Sequence, residues 1–513
     1  MYTIDSIISS IHSTGKSRLA VDVRALAAFR IGIGATLLLD VILRSRYLAV
    51  FYTDAGVLPR TTLREFYPLI SHLSIHTLSG SIVAQSVLFI ITGVCSISVI
   101  LGYRTRAAMM CSFFLIVSLH ARNPIVLSAG DSLLRRLYFW GMFLPLGTVY
   151  SLDAHRDSTR HENTSTSGKP QQIFSVAGVG LLVQVLIVYL TNAGYKTLQG
   201  DWGMHNTLLY ALHMDVFTTP IGALLQQHGD ILAVLSIAWI GILYASVLLV
   251  FTTGKLRQYT VLLFMCSHLG MVFVLRIGIF PLVSIVALLP FLPTSTWDTV
   301  YEGIQNIARW LKIQYVIDSL HSITNQPLYV QSIRETTRNH NRSIRQRITR
   351  GISYSKTVTQ ILLVCLIGTL ILWNSIAVGV INPGSIPESQ FTPKENSWDM
   401  FTSPSGIDTF TYGKVTTTAN TSVTNTAHAD PDTNLPPDGA AWYRTNRWRK
   451  YMLSVTDTKT DELLTSTATG ICNFIHRNQN VDTQTVTLRT IKQPPPMHTQ
   501  THTNKKVLTK THC

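Results

Sequence analysis

The stretch AGYKTLQGDW, residues 193–202, closes the uncharged apolar run 173–192 and sets Lys196 and Asp201 where that run ends. A lysine at the mouth of a low-dielectric cavity gives up its proton more readily than one in water and can then act as a base. Asp201, Trp202, His205 and His213 follow it and bring acid/base capacity. The same residue types also suit the polar end of a membrane helix, with Lys196 snorkelling and Asp201 and Trp202 at the headgroups. Residue type alone leaves both readings open.

Three further groups sit inside apolar runs. Arg30 and Asp40 interrupt the run 25–43, and an ionisable side chain near the centre of a bilayer costs roughly 2.5 to 3.5 kcal/mol on insertion scales. Ten residues of helix rise about 15 Å, so the two do not pair directly and their partners are expected from other spans. The segment RNPIVLSAGDSLLRR, which carries Arg122, Asp131, Arg135 and Arg136, is the candidate source. His268, in MCSHLGMVFVLRIGIF, lies eight residues before Arg276; it can assist a base or simply hydrogen-bond across helices.

Of the chain's 513 residues, 46% are hydrophobic and 13% charged, with a mean hydropathy of +0.24. Soluble domains carry about 25% charged residues, so the composition is that of a membrane protein. The formal charge of +15 does not point to nucleic acid, because the basic residues lie in loops between apolar runs, where positive-inside bias accounts for them. The cysteines at 95, 111, 266, 365, 472 and 513 form no CxxC and no Cys/His cluster. Neither a metal site nor a disulfide framework is expected from them.

A bilayer core of about 30 Å takes about 20 apolar helical residues. Such runs fall at 25–43, 81–101, 107–121, 134–150, 173–192, 231–252 and 260–277, with a short proline-broken run at 279–293 and a last one at 357–381. The polar opening before Ala25 has no cleavable leader pattern. The expected fold is an all-α polytopic membrane protein with eight or nine spans. The basic loops 102–106 and 253–259, together with QSIRETTRNHNRSIRQRITR, which holds six Arg and one Glu, put the amino terminus and these segments in the cytoplasm. Arg44, Arg46, Arg60 and Arg64, in the outer loop 44–80, run against that assignment.

Residues 294–356 form a basic cytoplasmic segment in which Ile304, Ile307, Leu311 and Tyr315 make one stripe of an interfacial helix. The run 357–381 then exports residues 382–513. These read as a Thr-rich linker over 382–437, a small module with a strand at TQTVTLRTIKQ, and a disordered end at PPPMHTQTHTNKKVLTKTHC.

Five blocks in order, FRIGIGATLLLDVILR, FYTDAGVLPR, SLHARNPIVLSAGDSLLRRLYFWGMFLPLG, YLTNAGYKTLQGDW and CSHLGMVFVLRIGIF, resemble the HTTM domain. That membrane domain is shared by vitamin K-dependent gamma-carboxylase and many prokaryotic proteins. The resemblance covers residues 20–293, and ENSWDMFTSPSG after the last run is similar to the start of the exported region in many members. In the carboxylases it implies a deprotonated lysine base, driven by oxygenation of reduced vitamin K, that forms a carbanion on a substrate glutamate. The family base is the second of two adjacent lysines; here the pair is Lys196 and Thr197, and the place of an assisting histidine falls near Pro124. His268 keeps the register of another carboxylase histidine. The resemblance thus carries the fold, and a quinone-like lipid as the implied cofactor, further than it carries glutamate carboxylation.

The expectation is therefore an outward-facing polar cavity in the cell membrane. Lys196, His268 and Asp201 are its candidate catalytic groups, and Arg30, Asp40, Asp131 and Arg276 its buried polar cluster. Membrane lipid and an exported polypeptide are the expected partners. The alternative is a non-catalytic scaffold or receptor that binds through the exported region, with its buried charges closed by Arg–Asp pairing.

Overall fold

The computed structural model describes residues 15–158, 172–199, 206–214, 217–310, 342–381, 408–417, 422–424, 443, 445–458, 460–479, 483–493 and 504–513. A two-residue strand, β1 (Val21–Asp22), leads into helix α1 (Val23–Ser45), which Asp22 caps by accepting from Arg24 N at 2.8 Å. Helix α2 (Ile82–Leu101) starts on the Ser81 hydroxyl and ends at Gly102 in the left-handed region, φ 67°. A Cβ at Gly102 would lie 2.6 Å from Arg30 Nη1, so glycine is required there twice over. Helix α3 (Thr105–Arg122) returns beside α2, and α4 (Ala129–Gly141) opens on a capping box of Ser128 and Asp131.

Strand β2 (Gln172–Ile173) pairs with β1 and precedes α5 (Val176–Gly194), which continues as a π-helical turn over Tyr195–Gln199. Helices α6 (Gly229–Ala245), α7 (Gly254–Val274) and α8 (Phe280–Leu288) complete the bundle, with α8 packed on α1, α4 and α7. Helix α9 (Thr294–Trp310) follows the end of α8 through a 108° bend. It exposes Ile304, Ile307 and Trp310; Leu311 and Tyr315 of the expected stripe lie outside the described residues. Helix α10 (Arg342–Val378) joins the basic segment and the last apolar run in one element and packs on α5.

Among the described residues four helices are long and apolar enough to cross a bilayer: Val23–Ser45, Ile82–Leu101, Val176–Leu198 and Thr357–Val378. Two bent pairs, Pro220–Gln226 with Gly229–Ala245 and Phe280–Phe291 with Thr294–Ile307, bring the number to six. Eight or nine runs do not become as many continuous spans because several break. The run 134–150 ends its helix at Gly141, 231–252 breaks after Ala245, and 279–293 turns at its prolines.

The C-terminal region corrects three expectations. Strands β3 (Asp408–Thr417), β4 (Ser422–Thr424), β5 (Thr483–Gln493) and β6 (Asn504–His512) form an antiparallel sheet ordered β4-β3-β5-β6. The Thr-rich stretch therefore contains strands, consistent with threonine's fit to a pleated surface, and part of the end expected to be disordered is β6, paired along β5. Helices α11 (Asn446–Thr458) and α12 (Asp461–Gln479) pack on the sheet over Trp448, Tyr451, Ile471 and Ile491, all buried. Cys472 and Cys513 form a disulfide across 41 residues. Sequence spacing gave no hint of it, because β6 brings the chain end back to α12 only in the fold.

This module sits on the membrane domain. Tyr451 Oη and Ser466 Oγ donate to Val57 O at 2.8 and 3.1 Å, and Asn473 Nδ2 donates to Ala55 O at 3.1 Å. Gly470 permits the approach: a Cβ there would lie 2.5 Å from Val57 Cα.

Candidate functional site

Two polar centres lie inside the helices. The first begins with Arg44, one turn beyond Asp40 on α1. Its Nε donates to Asp40 Oδ2 at 2.6 Å, Nη2 to Asp131 Oδ1 at 2.5 Å and Nη1 to Tyr52 Oη at 2.6 Å. Asp40 thus finds a partner on its own helix, one turn away, and a second from far along the chain. Arg447, on α11, donates to Asp40 Oδ1 and forks onto Asp131, with Nη1 to Oδ2 and Nη2 to Oδ1 both at 3.2 Å. Its Nη1 also reaches Val126 O at 3.3 Å. Burial and the nearby Arg44 disfavour the charge on Arg447, but Asp131 and Asp40 outweigh them and hold it above its ordinary pKa.

His120 completes this centre, with Nε2 3.3 Å from Arg44 Nη2 and Nδ1 3.2 Å from Arg135 Nη1. A neutral imidazole has one acceptor nitrogen, so it accepts from only one of the two arginines. Asp40, His120 and Asp131 offer ligand atoms within 4.8 Å of one another, a spacing that suits a metal ion. The chemistry does not: each carboxylate oxygen already accepts from a guanidinium, and two arginines balance two carboxylates. The cluster is an interdomain lock. Arg44 and Arg60, which run against the positive-inside pattern, are both ion-paired, Arg60 with Asp54 at 2.7 Å.

The second centre is a cavity of about 50 Å³ between α5, α6, α7 and α8. Tyr189, Asn192 and Lys196 line it from α5 and its π turn, Trp239 from α6, His268 from α7 and Phe280 from α8. It holds a few waters at about 10 to 15 Å³ each and is smaller than the 300 to 1,000 Å³ of a drug-sized pocket. A larger ligand must displace side chains. Tyr189 Oη lies 2.9 Å from His268 Nε2, while His268 Nδ1 is buried with no hydrogen-bond partner among the described residues. The imidazole is boxed by rings: Tyr189 at 5.9 Å, Phe280 edge-on at 5.7 Å and Trp239 edge-on at 6.2 Å.

The expected site residues therefore separate. Lys196 and His268 share the cavity; Asp40 and Asp131 share the lock. Arg30 is elsewhere, donating to the carbonyls of Leu146 (3.0 Å), Tyr150 (2.5 Å), Ile100 and Val149 (both 3.4 Å), so it ties the 146–150 loop to the end of α2. Arg276 is half-buried and its carbonyl accepts from Arg449 at 3.0 Å. Asp201, Trp202 and His205 lie outside the described residues. His213 Nδ1 turns to Leu209 O at 2.7 Å. Thr197 Oγ1 lies 2.7 Å from Tyr244 Oη and donates to Ala193 O at 3.1 Å, so Lys196, not Thr197, lines the cavity.

The profile of the HTTM domain matches residues 19–297, more than half of the 513-residue chain. The protein belongs to the HTTM family. No curated protein and no solved structure matches it. Within this HTTM protein the cavity lies wholly inside the matched region, as do Asp40, Arg44, His120 and Asp131. Arg447, which completes the lock, lies outside it. Tyr189 and Arg447 were missed in the sequence: a tyrosine in an apolar run has no distinguishing signal, and nothing local ties residue 447 to residues 40 and 131.

Proposed function

We propose that this HTTM protein is a multi-pass cell-membrane protein that takes the ring-bearing head of a quinone-like lipid into the cavity and moves a proton there. Lys196 serves as the base, His268 as its assistant and Tyr189 as the group orienting the imidazole. The observation that carries this reading is that Lys196 and His268, 72 residues apart in sequence, line one small, mostly apolar cavity. A desolvated amine sheds its proton more readily than a hydrated one and is then available as a base, and the rings around His268 suit a flat, conjugated ligand. Glutamate carboxylation is not part of the proposal, because the position given by resemblance to the carboxylase base is Thr197, whose hydroxyl is no amine base.

The amino terminus is taken as cytoplasmic and the C-terminal module as exported. The Cys472–Cys513 disulfide supports this, since disulfides persist in oxidising compartments, as do the basic loops at 102–106 and 253–259. Membrane lipid is then one partner and an exported polypeptide the other. The test is quenching of Trp239 by a short-chain benzoquinone with the full-length protein in nanodiscs. Saturable quenching lost in Lys196→Ala and His268→Ala, at unchanged amounts of folded protein, supports the reading. Equal quenching in all three proteins overturns it.

A second reading, a scaffold that binds an exported partner through the module, is favoured by the Arg447 lock, which closes the buried carboxylates against the outside. Removing the chain after Asn382 would then abolish the cellular phenotype while Lys196→Ala would not.

A further inference from the structure

At the end of the bundle where α1, α7 and α9 all begin, a cleft of about 260 Å³ lies apart from both centres. The amino ends of two helices meet on it: Thr253 and Gly254 of α7, and Thr294 and Ser295 of α9. Helix α7 has 21 residues and its N-cap Thr253 makes no side-chain capping bond. Its first-turn N–H groups therefore keep their donors and the positive end of the helix dipole turned toward the cleft. Thr294 Oγ1 accepts from Gln172 Nε2 at 2.9 Å, which fixes the α9 side of the wall.

The second, independent observation is Arg257, one turn into α7. It lines the cleft, is only 5% exposed, and its Nε has no hydrogen-bond partner among the described residues. Its Nη1 donates to Arg18 O at 2.7 Å and its guanidinium lies 5.6 Å from the Phe291 ring centroid, so the side chain is held in place. Among the described residues the one carboxylate in the lining is Asp22. Both its oxygens accept from Arg24, at 2.8 to 3.1 Å, and it does not neutralise Arg257. A buried guanidinium with an unused donor, beside two converging helix N-termini, is an arrangement that recognises an anion.

We propose that this cleft binds a phosphate-type oxyanion, supplied either by a phospholipid headgroup or by free phosphate. The helix N–H groups and Arg257 Nε hold it, and its negative charge offsets a buried guanidinium that has no carboxylate partner among the described residues. The site is independent of the proton-transfer reading, because no residue is shared with the Lys196 cavity.

The test uses the full-length protein in neutral detergent micelles and reads the thermal unfolding midpoint in two titrations. One adds phosphatidylglycerol against phosphatidylcholine; the other adds inorganic phosphate against chloride at matched ionic strength. A saturable rise of the midpoint with phosphatidylglycerol alone assigns a headgroup, and a rise with inorganic phosphate assigns the free ion. In either case Arg257→Gln weakens the apparent affinity at least tenfold, about 1.4 kcal/mol, and Arg257→Lys restores part of it. If Arg257→Gln does not fold, Thr253→Asp serves: it places a carboxylate over the same N–H groups and should abolish the response to both probes. No midpoint shift with either probe, or shifts of equal size in the wild type and the folded variant, overturns the proposal.

Discussion

Arg447→Ala should loosen the docking of the C-terminal module on the membrane domain. The side chain is 15% exposed and its partners Asp40 and Asp131 are 2% and 0% exposed, so water cannot replace the lost donors. Truncation removes the fork on Asp131, the bond to Asp40 Oδ1 and the contact to Val126 O. Breaking a buried ion pair by deleting one partner costs about 3 to 5 kcal/mol. Arg44 still bonds both carboxylates, so the lower end applies, about 3 kcal/mol. Because Arg447 belongs to the module and the carboxylates to the membrane domain, the loss falls on docking of the module. Amide hydrogen exchange of Asn446–Thr458, read by mass spectrometry, should speed up roughly a hundredfold, at 1.4 kcal/mol per factor of ten. Arg60→Ala is the control. Its pair with Asp54 is 27% and 39% exposed, and an exposed pair contributes at most about 1 kcal/mol. An Arg447→Ala effect below about fivefold, no larger than the control, would refute the view that the lock holds the module down.

Three further outcomes follow from the same geometry. Thr197→Ala should change any quinone-dependent signal less than twofold, because Thr197 bonds Tyr244 and does not line the cavity, and a loss matching that of Lys196→Ala would refute the assignment of the site to the Lys196 cavity. Cys513→Ser opens a 41-residue loop, for which chain entropy gives about 4 kcal/mol of module stability; β6 should lose exchange protection first, which peptide-level exchange checks. His76 is buried against Ser118 and Phe89, and burial, then the charges of Arg122 and Arg44, push its pKa down to about 3. Since the unfolded imidazole titrates near 6.5, the unfolded state binds this proton first as pH falls. Stability is therefore full above about pH 6.5 and is lost progressively toward pH 3, and a pH series of unfolding midpoints should flatten in His76→Asn.

Much of the membrane domain was legible from local signals. Lys196 and His268 stand out because an ionisable residue in an apolar run must have a reason, and both lie on one cavity. The outer stripe of α9 follows from 3.6-residue periodicity, and β5 from alternation. What was not legible depends on distant chain. Asp40 was paired in expectation with other spans, whereas its partners are Arg44, one turn away, and Arg447, 407 residues on. The count of apolar runs and the count of candidate spans differ where hydropathy is blind to breaks: the run 134–150 has Arg135 and Arg136 near its start and is uncharged from there on, yet its helix stops at Gly141. The terminal strand carries no apolar alternation to mark it, because NKKVLTKTH is mostly Lys and Thr and PPPMHTQTHT precedes it. Only the open edge of β5 and the Cys472–Cys513 bridge give those residues something to pair with.

The measurement closest to the central claim is an experimental density map of the full-length protein in nanodiscs loaded with a short-chain quinol. The account requires ring-shaped density within hydrogen-bonding reach of both the Lys196 amine and the His268 imidazole, with the surrounding aromatic side chains moved apart to admit it. A map in which the quinol lies elsewhere, and Lys196 points out to the headgroups, would contradict it.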